Sequence, residues 1–389
     1  MQTRRSRSLG LGILSLLAAS LPSSGRADPD LTVANLNVLH GVICPAASDR
    51  CRLSDRMDLM FQWIEDAGCP DVVTLQEVST FGNSVLAAVN ARYPTACGGQ
   101  YTQLFLPHSI IDEEMILTRY PVLDSALLVL HGDPALQRHV LHGRIDHPKG
   151  PIDIFTTHLA SGSDNANGAC ASPCPAECVS AGAATNRQCQ AVQLANWVAL
   201  RHTSPTPAIV TGDMNAAPGS FEYDHLVVTS GYTDTYLAAG MPECVPATGV
   251  GCTSGREDAN LSQLESSASN EDRRIDFTFL VSPPAGSSCN LAIEGPGDLD
   301  ADGTTTRIFS DDPNPFAPGC GPAPDAICWP SDHEGSELDL EISNCVPSPT
   351  VPALPGSGLA LAALAAVLAS TGGLLLAPRG RLARSRSRG

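Results

Sequence analysis

The fold of this chain can be recognised from the stretch IVTGDMNAAP, which runs from Ile209 to Pro218. It opens with a short run of strand-forming residues and continues into a turn in which Asp213 and Asn215 lie two positions apart. Alternate residues of an extended segment share a face, so the two side chains can point to the same side. The stretch therefore predicts a buried strand that ends in a polar pair.

Five further segments of the same kind lie on either side of this one. Most of them are short runs of strand-forming residues that end in a polar side chain. In chain order they are LNVLHG (Leu36–Gly41), DVVTLQEV (Asp71–Val78), TTHLASG (Thr156–Gly162), RRIDFTF (Arg273–Phe279) and WPSDHEG (Trp329–Gly335). Six strand ends can bring their polar groups to one rim of a sheet. Such a set of carboxylate, amide and imidazole groups suits the binding of a hard metal ion and the cleavage of a phosphate ester.

Together and in this order, the six segments resemble the endonuclease/exonuclease/phosphatase superfamily, whose members include deoxyribonucleases and sphingomyelinases. The resemblance spans about Leu31 to Ile342. It implies a single α/β domain, a four-layer α/β sandwich in which two packed mixed sheets are flanked by helices. Strand and helix patterns that alternate along the chain without an internal repeat agree with this architecture.

The resemblance implies a site for Mg²⁺ or Mn²⁺. It makes Glu77 the principal metal ligand, places Asp332 near the metal, and lets Asn37 help to hold metal or phosphate through its amide oxygen. Mg²⁺ is a hard ion that prefers such oxygen ligands. Without the resemblance, Glu77 could equally be a helix cap or a surface residue, and Asn37 a turn former.

The resemblance also assigns the catalytic residues. Asp213 and Asn215 would grip one phosphate and its attacking water. His333, oriented by Asp276, would activate water or stabilise the phosphorane, and His158 would protonate the leaving oxygen. Which histidine is the acid and which the base stays open, as does a structural role for either ring.

Three further assignments rest on shorter patterns. Arg274 is assigned to substrate binding. An acid between Asp112 and Glu114 is expected to partner His158. The segment Asp298–Gly303 has the opening spacing of a calcium loop but lacks the acid at the twelfth position, so a solvated acidic turn and a structural Ca²⁺ site both stay open.

The two ends of the chain predict export. Basic residues and an apolar run at residues 1–27 are typical of a signal peptide. The domain at 28–345 is followed by a Pro-rich linker (346–357), an apolar helix long enough to span a membrane (358–378) and a basic cytoplasmic tail (379–389). This tail resembles bacterial sorting signals of the VP/IPTL and PEP type, from which a protease removes the helix; a permanent membrane anchor is the alternative. We therefore expect a protein that is exported and then either held at the cell surface or secreted after C-terminal processing.

Cysteine usage agrees with export. The chain has 14 cysteines, an even number, which predicts mostly disulfides. Short spacings suggest the pairs Cys44–Cys51, Cys244–Cys252 and Cys320–Cys328. The cysteines from Cys170 to Cys189 could bind zinc, but this run has no histidine and lies in a loop-forming segment, which favours disulfides.

These features predict an exported, divalent-metal-dependent phosphodiester hydrolase, and extracellular cleavage of nucleic acid is the first interpretation. Nine of the 23 basic residues lie in the two ends, so the stretch 28–345 carries 14 basic and 41 acidic residues, a formal charge of −27. This charge repels polyanions at long range and argues against a non-specific DNA-binding protein. The alternatives are a sphingomyelinase-like lipid phosphodiesterase and a non-catalytic surface-binding module. A monomer is expected.

Overall fold

The chain forms two β-sheets with surrounding helices in a computed structural model. The structure describes residues 29–345 except for 41–50, 82–83, 110, 133, 135–136, 163–165, 204, 257–260, 269–270, 288, 294–305, 310–319, 321–326 and 344. The predicted signal peptide, the whole C-terminal tail, the Asp298–Gly303 loop and Cys44 lie outside these residues. Within the described part of the chain, no helix has the length and apolar character needed to cross a bilayer.

Strands and helices are interspersed along the chain. The strands are β1 (Leu31–Asn37), β2 (Val72–Gln76), β3 (Thr102–Phe105), β4 (Met115–Thr118), β5 (Val122–Val129), β6 (His139–Ile145), β7 (Ile152–His158), β8 (Ala208–Asp213), β9 (Thr233–Asp234), β10 (Asp276–Val281), β11 (Asn290–Ile293), β12 (Thr306–Phe309) and β13 (Gly335–Ser343). The α-helices are α1 (Leu53–Asp66), α2 (Val85–Asn90), α3 (Ala176–Ser180), α4 (Asn186–Arg201), α5 (Phe221–Asp224), α6 (Thr235–Ala238) and α7 (Leu261–Leu264).

Both sheets are mixed. The first has the strand order β11-β13-β1-β2-β4-β3, with β12 also paired to β13, and the second has the order β5-β6-β7-β8-β10-β9. Each sheet contains one parallel pair near its centre, β1 with β2 and β7 with β8, while its other pairs are antiparallel. The two sheets therefore have the same arrangement at their centres, a parallel pair flanked by antiparallel strands.

Three apolar clusters separate four layers. Leu31 and Val33 of the first sheet share the inter-sheet core with Ile154 and Ile209 of the second. The outer face of the first sheet packs against α1, and the outer face of the second sheet packs against α4. The predicted four-layer α/β sandwich is confirmed.

Helix α4 illustrates how local sequence sets an element. The side chain of Thr185 accepts a hydrogen bond from the backbone N–H of Gln188 and so caps the first turn. Leu194 and Val198 recur at helical spacing and are buried against the second sheet. The sequence predicts this helix at Asn186–Leu200, and the observed helix ends one residue later.

The inner faces of the central strands change from apolar to polar along their length. Inward-facing residues alternate with outward-facing ones in each strand. Read along the chain, the inner positions are Leu31, Val33, Asn35 and Asn37 in β1, Ile152, Ile154, Thr156 and His158 in β7, and Ile209, Thr211 and Asp213 in β8. The polar positions of the two sheets lie at the same edge of the sandwich. Hydrogen bonds between the sheets, from Asn37 to Asp213 and from Gln76 to Thr156, show that they meet there.

A buried polar layer lies beneath this edge. Gln76 donates to Asn35 Oδ1 (2.8 Å) and to Thr156 Oγ1 (2.9 Å), and so joins the two sheets. Thr74 also donates to Asn35 Oδ1, at 2.9 Å. Buried polar groups that are hydrogen-bonded in this way hold the two sheets in one register at the polar edge.

The structure corrects one prediction about the loops. The sequence predicts that Val281–Pro330 is an irregular insertion, but it contains β11 and β12, which both pair with β13. These segments are too short to show periodicity, and β13 supplies the partner that makes them strands. The other insertion, Gly240–Asp272, contains the short helix α7 and is otherwise irregular where it is described.

The cysteine predictions are largely confirmed. Disulfides join Cys244 to Cys252 and Cys320 to Cys328, as predicted from spacing. The four cysteines of the candidate zinc run form the disulfides Cys170–Cys174 and Cys178–Cys189, so their sulfurs are used. Two longer-range disulfides, Cys69–Cys97 and Cys289–Cys345, were not predicted.

Gly212 is required by the approach of β7 to β8. Its φ is +141°, and a Cβ there would lie 1.9 Å from the backbone oxygen of Thr157. We expect Gly212→Ala to lower the free energy of unfolding by more than about 2 kcal/mol, measured by urea denaturation. Gly162→Ala is the matched control, because a Cβ at Gly162 meets no atom within 4 Å. Equal stability of the two variants would contradict this account.

Asp153 predicts a pH dependence of stability. The carboxylate is fully buried and bonded to His142 Nε2 (2.8 Å), Arg144 Nε (2.8 Å) and His202 Nδ1 (3.0 Å). Burial alone raises the pKa of Asp153, but the bonds from His142, His202 and Arg144 outweigh it and hold the pKa well below the ordinary 3.8. A carboxyl with a lowered folded-state pKa stabilises fully above its unfolded-state pKa and loses this contribution as the pH falls below it.

We therefore expect Asp153→Asn to reduce the free energy of unfolding by about 3 kcal/mol at neutral pH, because three donors lose an ionised partner. The difference from wild type should shrink below about pH 4. Urea denaturation at several pH values measures both quantities. A difference that stays constant down to acid pH would show that the ionisation of Asp153 does not matter.

Candidate active site

The candidate site lies at the polar edge of the sandwich. Asn37, His158 and Asp213 are the last residues of β1, β7 and β8, and Asp276 is the first residue of the antiparallel strand β10. The register pairs Asp213 with His158 on one side and with Asp276 on the other. Adjacent strand ends therefore place these three side chains in a row.

Asp213 is the centre of the site. Its Oδ2 atom lies 3.1 Å from Asn37 Nδ2, 3.2 Å from His158 Nε2 and 3.8 Å from His333 Nε2. The side chain is almost completely buried. One carboxylate oxygen thus faces groups from the first sheet, the second sheet and the loop before β13.

Each histidine has its own aspartate. Asp276 Oδ2 lies 2.9 Å from His333 Nδ1, and Asp112 Oδ2 lies 3.1 Å from His158 Nδ1. A carboxylate accepts the proton of Nδ1, and this fixes the tautomer and turns Nε2 toward Asp213 in both rings. The partner of His158, which the sequence leaves open between Asp112 and Glu114, is Asp112. Glu114 instead accepts a hydrogen bond from the backbone N–H of His158, at 3.0 Å.

Glu77 faces the same centre from the end of β2. Its carboxylate accepts hydrogen bonds from Asn37 Nδ2 (2.9 Å) and from the backbone N–H of His40 (2.8 Å). Burial alone raises the pKa of Glu77, but the charges of His40 and His158 and these hydrogen bonds outweigh it and lower the pKa to about 2. Glu77 is therefore ionised near neutral pH.

The electrostatics of the other groups follow from their crowding. Burial raises the pKa of Asp213, but the charges of His158 and His333 reverse this and hold it well below its usual range. Burial, opposed by the charge of His333 and assisted by that of Asp213, raises the pKa of Asp276 to about 6. Burial lowers the pKa of His333, but Asp276, Asp213 and Asp332 raise it well above the ordinary value.

The backbone of the site includes positive φ angles at non-glycine residues. The φ values are 54° at Leu39, 63° at Glu77 and 49° at Asn215. Such conformations cost free energy and persist only where surrounding contacts enforce them. At Asn215 the contacts are an Asx turn, in which its N–H donates to Asp213 Oδ1 (2.8 Å), and a bond between its Nδ2 and His158 Nε2 (2.9 Å). The Asx turn at Asn215 is therefore compatible with its predicted catalytic role.

Two residues that the sequence does not single out hold the Asp276–His333 pair in place. Ser331 Oγ accepts from the backbone N–H of His333 (3.2 Å) and donates to the backbone oxygen of Asn37 (2.6 Å). Thr253 Oγ1, from the insertion Gly240–Asp272, accepts from the backbone N–H of Asp276 (3.1 Å). No sequence signal identifies Thr253, because it lies far from every motif.

Arg274, which the sequence assigns to substrate binding, is already bound by acidic side chains in the structure, so its contact with a substrate stays a prediction. The guanidinium is buried and donates to both oxygens of Glu243 (2.7 and 2.8 Å) and to Asp234 Oδ2 (2.8 Å). A phosphate could reach Arg274 only by displacing these carboxylates. The guanidinium of Arg274 also packs over the rings of Phe277 and Tyr236.

The donor set fits a divalent cation. Asp213, Asp276 and His333 each offer a ligand atom within 4.8 Å of the others, and Glu77 faces Asp213 across Asn37. So many carboxylates in one buried place call for a compensating positive charge, and oxygen donors suit Mg²⁺ or Mn²⁺. Asn37 directs its Nδ2 atom to the carboxylates, while its Oδ1 accepts from the N–H of Leu39 (3.1 Å). Metal ligation by Asn37, Glu77 and Asp332 stays a prediction.

Comparison with known proteins places this geometry in a family. No curated protein sequence matches the chain. Among solved structures, an endonuclease/exonuclease/phosphatase from Bacteroides vulgatus is 18% identical, with a TM-score of 0.53, and covers 80% of this chain and 98% of its own. The mannosyl-6-phosphatase Bt3783 of Bacteroides thetaiotaomicron is 16% identical, with a TM-score of 0.51, and covers 80% and 99%. A humanized D. rerio TDP2 is 16% identical, with a TM-score of 0.50, and covers 80% and 98%.

These likenesses show a shared fold, and the sequence itself matches a family model. The model described as the Endonuclease/Exonuclease/phosphatase family matches residues 34–333, a stretch that begins in β1 and ends at His333. It includes both ends of the site described above, from Asn37 to the histidine paired with Asp276. The chain therefore belongs to the endonuclease/exonuclease/phosphatase family.

Proposed function

We propose that this protein hydrolyses a phosphodiester with the help of a divalent cation. The observation that carries the proposal is the pair of aspartate–histidine couples, Asp112–His158 and Asp276–His333. Both direct Nε2 at the same oxygen of Asp213, at 3.2 and 3.8 Å. Two imidazoles that converge on one point can act as a proton donor and a proton acceptor on opposite sides of a phosphorus atom.

The environments of the two rings differ. The raised pKa of His333 favours its protonated form, which stabilises negative charge on a phosphoryl oxygen. His158 Nε2 lies 2.9 Å from Asn215 Nδ2 and 3.2 Å from Asp213 Oδ2, so the ring lies where a leaving oxygen could receive a proton. These roles follow the family resemblance, and the geometry supports them.

The cation would be held by Glu77 with help from Asn37 and Asp332. When bound, it supplies positive charge that polarises the phosphoryl oxygens and compensates the carboxylates. Asp213 and Asn215 then orient phosphate and water, because both side chains face the space between the two histidines. The co-location of all these groups favours an enzyme over a non-catalytic binding module.

Substrate and location extend this proposal. Extracellular nucleic acid is the substrate suggested by the sequence, a sphingomyelinase-like activity is the runner-up, and the shared fold with a mannosyl-6-phosphatase adds a phosphomonoester to the substrates worth testing.

Export is supported by the six disulfides among the described residues, since such bonds persist in oxidising compartments.

The metal proposal is tested with Glu77→Ala. We expect kcat/KM on bis-p-nitrophenyl phosphate with Mg²⁺ or Mn²⁺ to fall by at least about a hundredfold, because the main oxygen ligand is lost. Addition of Mn²⁺ should raise the melting temperature of wild type but not of the variant. Glu341→Ala, at an exposed position of β13, is the matched control. Full activity of Glu77→Ala, or activity of wild type in excess chelator, would contradict the proposal.

The role of Asp112 is tested with Asp112→Asn. We expect kcat to fall about 10- to 100-fold while KM changes little, because the ring of His158 loses the charged acceptor that fixes its tautomer and orientation. Asp124→Asn is the control: Asp112 pairs with Arg138 and Asp124 pairs with Arg201, but Asp124 lies on β5 away from the site. Steady-state kinetics on bis-p-nitrophenyl phosphate measure kcat and KM of both variants. An equal loss of kcat in both would show that Asp112 contributes to stability alone and does not position His158.

A further inference from the structure

The basic side chains around the candidate site are already engaged within the protein. Arg138 pairs with Asp112, and Arg256 pairs with Glu271 and Glu334 while its guanidinium stacks 3.6 Å from the ring centre of Trp329. Arg274 is bound to Asp234 and Glu243. All three guanidinium groups are therefore already paired with carboxylates of the protein.

The same holds for the remaining basic side chains that the structure describes. In and near the helical layers, Arg52, Arg92 and Arg187 form ion pairs, and Arg56 donates to four backbone carbonyls. At the end of the sheets away from the site, Arg119, Arg144, Lys149 and Arg201 pair with acids. No track of available cations runs across the described surface.

A long nucleic acid requires such a track. Its binding depends on several phosphate contacts to lysine or arginine, each of which releases counterions. Here the basic side chains that the structure describes are already bonded to acids or to backbone carbonyls, and the formal charge of −27 over residues 28–345 repels a polyanion at long range. A single phosphodiester avoids both costs, because it needs only the groups at the site itself.

Resting on the proposed function, we propose that the substrate presents one phosphodiester group between parts that add no further negative charge. A small soluble diester and a zwitterionic lipid headgroup both have this chemistry. His158, Asn215 and His333 all lie within 4 Å of Asp213, so the groups expected to contact phosphate are gathered around a single point. This replaces nucleic acid, the first substrate suggested by the sequence.

Arg273 offers a way to test the argument. It is exposed and pairs with the neighbouring Asp272 at 3.1 Å. The backbone of Ser254 forms bridges with both Arg273 and His333, so Arg273 lies about 10 Å, or two strand spacings, from the histidine. Removing the charge of Asp272 would leave the Arg273 guanidinium without its carboxylate partner. The protein would then have an arginine near the site that can bind a second phosphate.

The first experiment measures kcat/KM of the disulfide-bonded protein on bis-p-nitrophenyl phosphate, sphingomyelin vesicles, a dinucleotide and a long single-stranded DNA. We expect the DNA, per diester bond, to be cleaved no better than the dinucleotide. Between about 50 and 200 mM salt, kcat/KM on DNA should stay constant or rise, because salt screens repulsion. Comparison of vesicles with soluble diesters shows which source of the group is used.

The second experiment compares Asp272→Asn with Asp124→Asn. The first frees Arg273 near the site, and the second frees Arg201 at the far end of the second sheet. We expect Asp272→Asn alone to improve kcat/KM on DNA and to make it fall with salt, by a slope of about −0.7 for one new contact. Activity on the small diester should be unchanged in both variants.

The outcomes separate the two proposals. Absence of hydrolysis of any diester by the folded protein would overturn the proposed function, and this inference with it. Hydrolysis of the small diester together with strong preference for DNA and a steep loss of activity with salt would overturn only the inference. No change in DNA cleavage by Asp272→Asn would also count against it, because paired cations would then not be the limiting feature.

Discussion

Hydrogen bonding across the inner faces of the two sheets sets the position of everything else. Below it the sandwich is held by apolar packing, and above it lie the charged groups of the site. Asn35, Gln76 and Thr156 form the boundary, since Gln76 donates to both of the others across the inter-sheet space. A buried amide left without partners would cost free energy, so a slip of one residue in either sheet is strongly disfavoured. The register in which Gln76 Nε2 donates to both sheets is also the register that brings Asn37 to Asp213.

The site above this boundary concentrates acids around two imidazoles. Glu77, Asp213 and Asp276 are brought together although they repel one another, and the fold offsets this with His158, His333 and several N–H donors. Positive φ angles at Glu77 and Asn215 add local strain. A divalent cation would relieve the repulsion, which is a physical argument for the metal dependence that we propose.

The distribution of charge explains how such a site can be selective. Most basic side chains on the described surface form ion pairs with acids of the protein itself. The pair of Arg273 with Asp272 is the most exposed of these near the site. Attraction for a substrate therefore comes from the site and from any bound cation, while the surface contributes repulsion of large anions. Selection against polyanions then requires no dedicated contact.

Local sequence predicted the strands of the six motif segments, helix α4 and most of the polar residues at the strand ends, because these depend on periodicity and on neighbouring residues alone. It also predicted Cys244–Cys252 and Cys320–Cys328, which close short loops. Tertiary contacts were needed for the pairing of Asp112 with His158, the contact of Thr253 with Asp276 and the disulfide Cys289–Cys345, since each joins segments distant in the chain. Arg274 shows the same division. Its proximity to Asp276 is visible in the sequence, but its burial against Asp234 and Glu243 depends on how the strands and the insertion pack, because packing orients a side chain and sequence order does not.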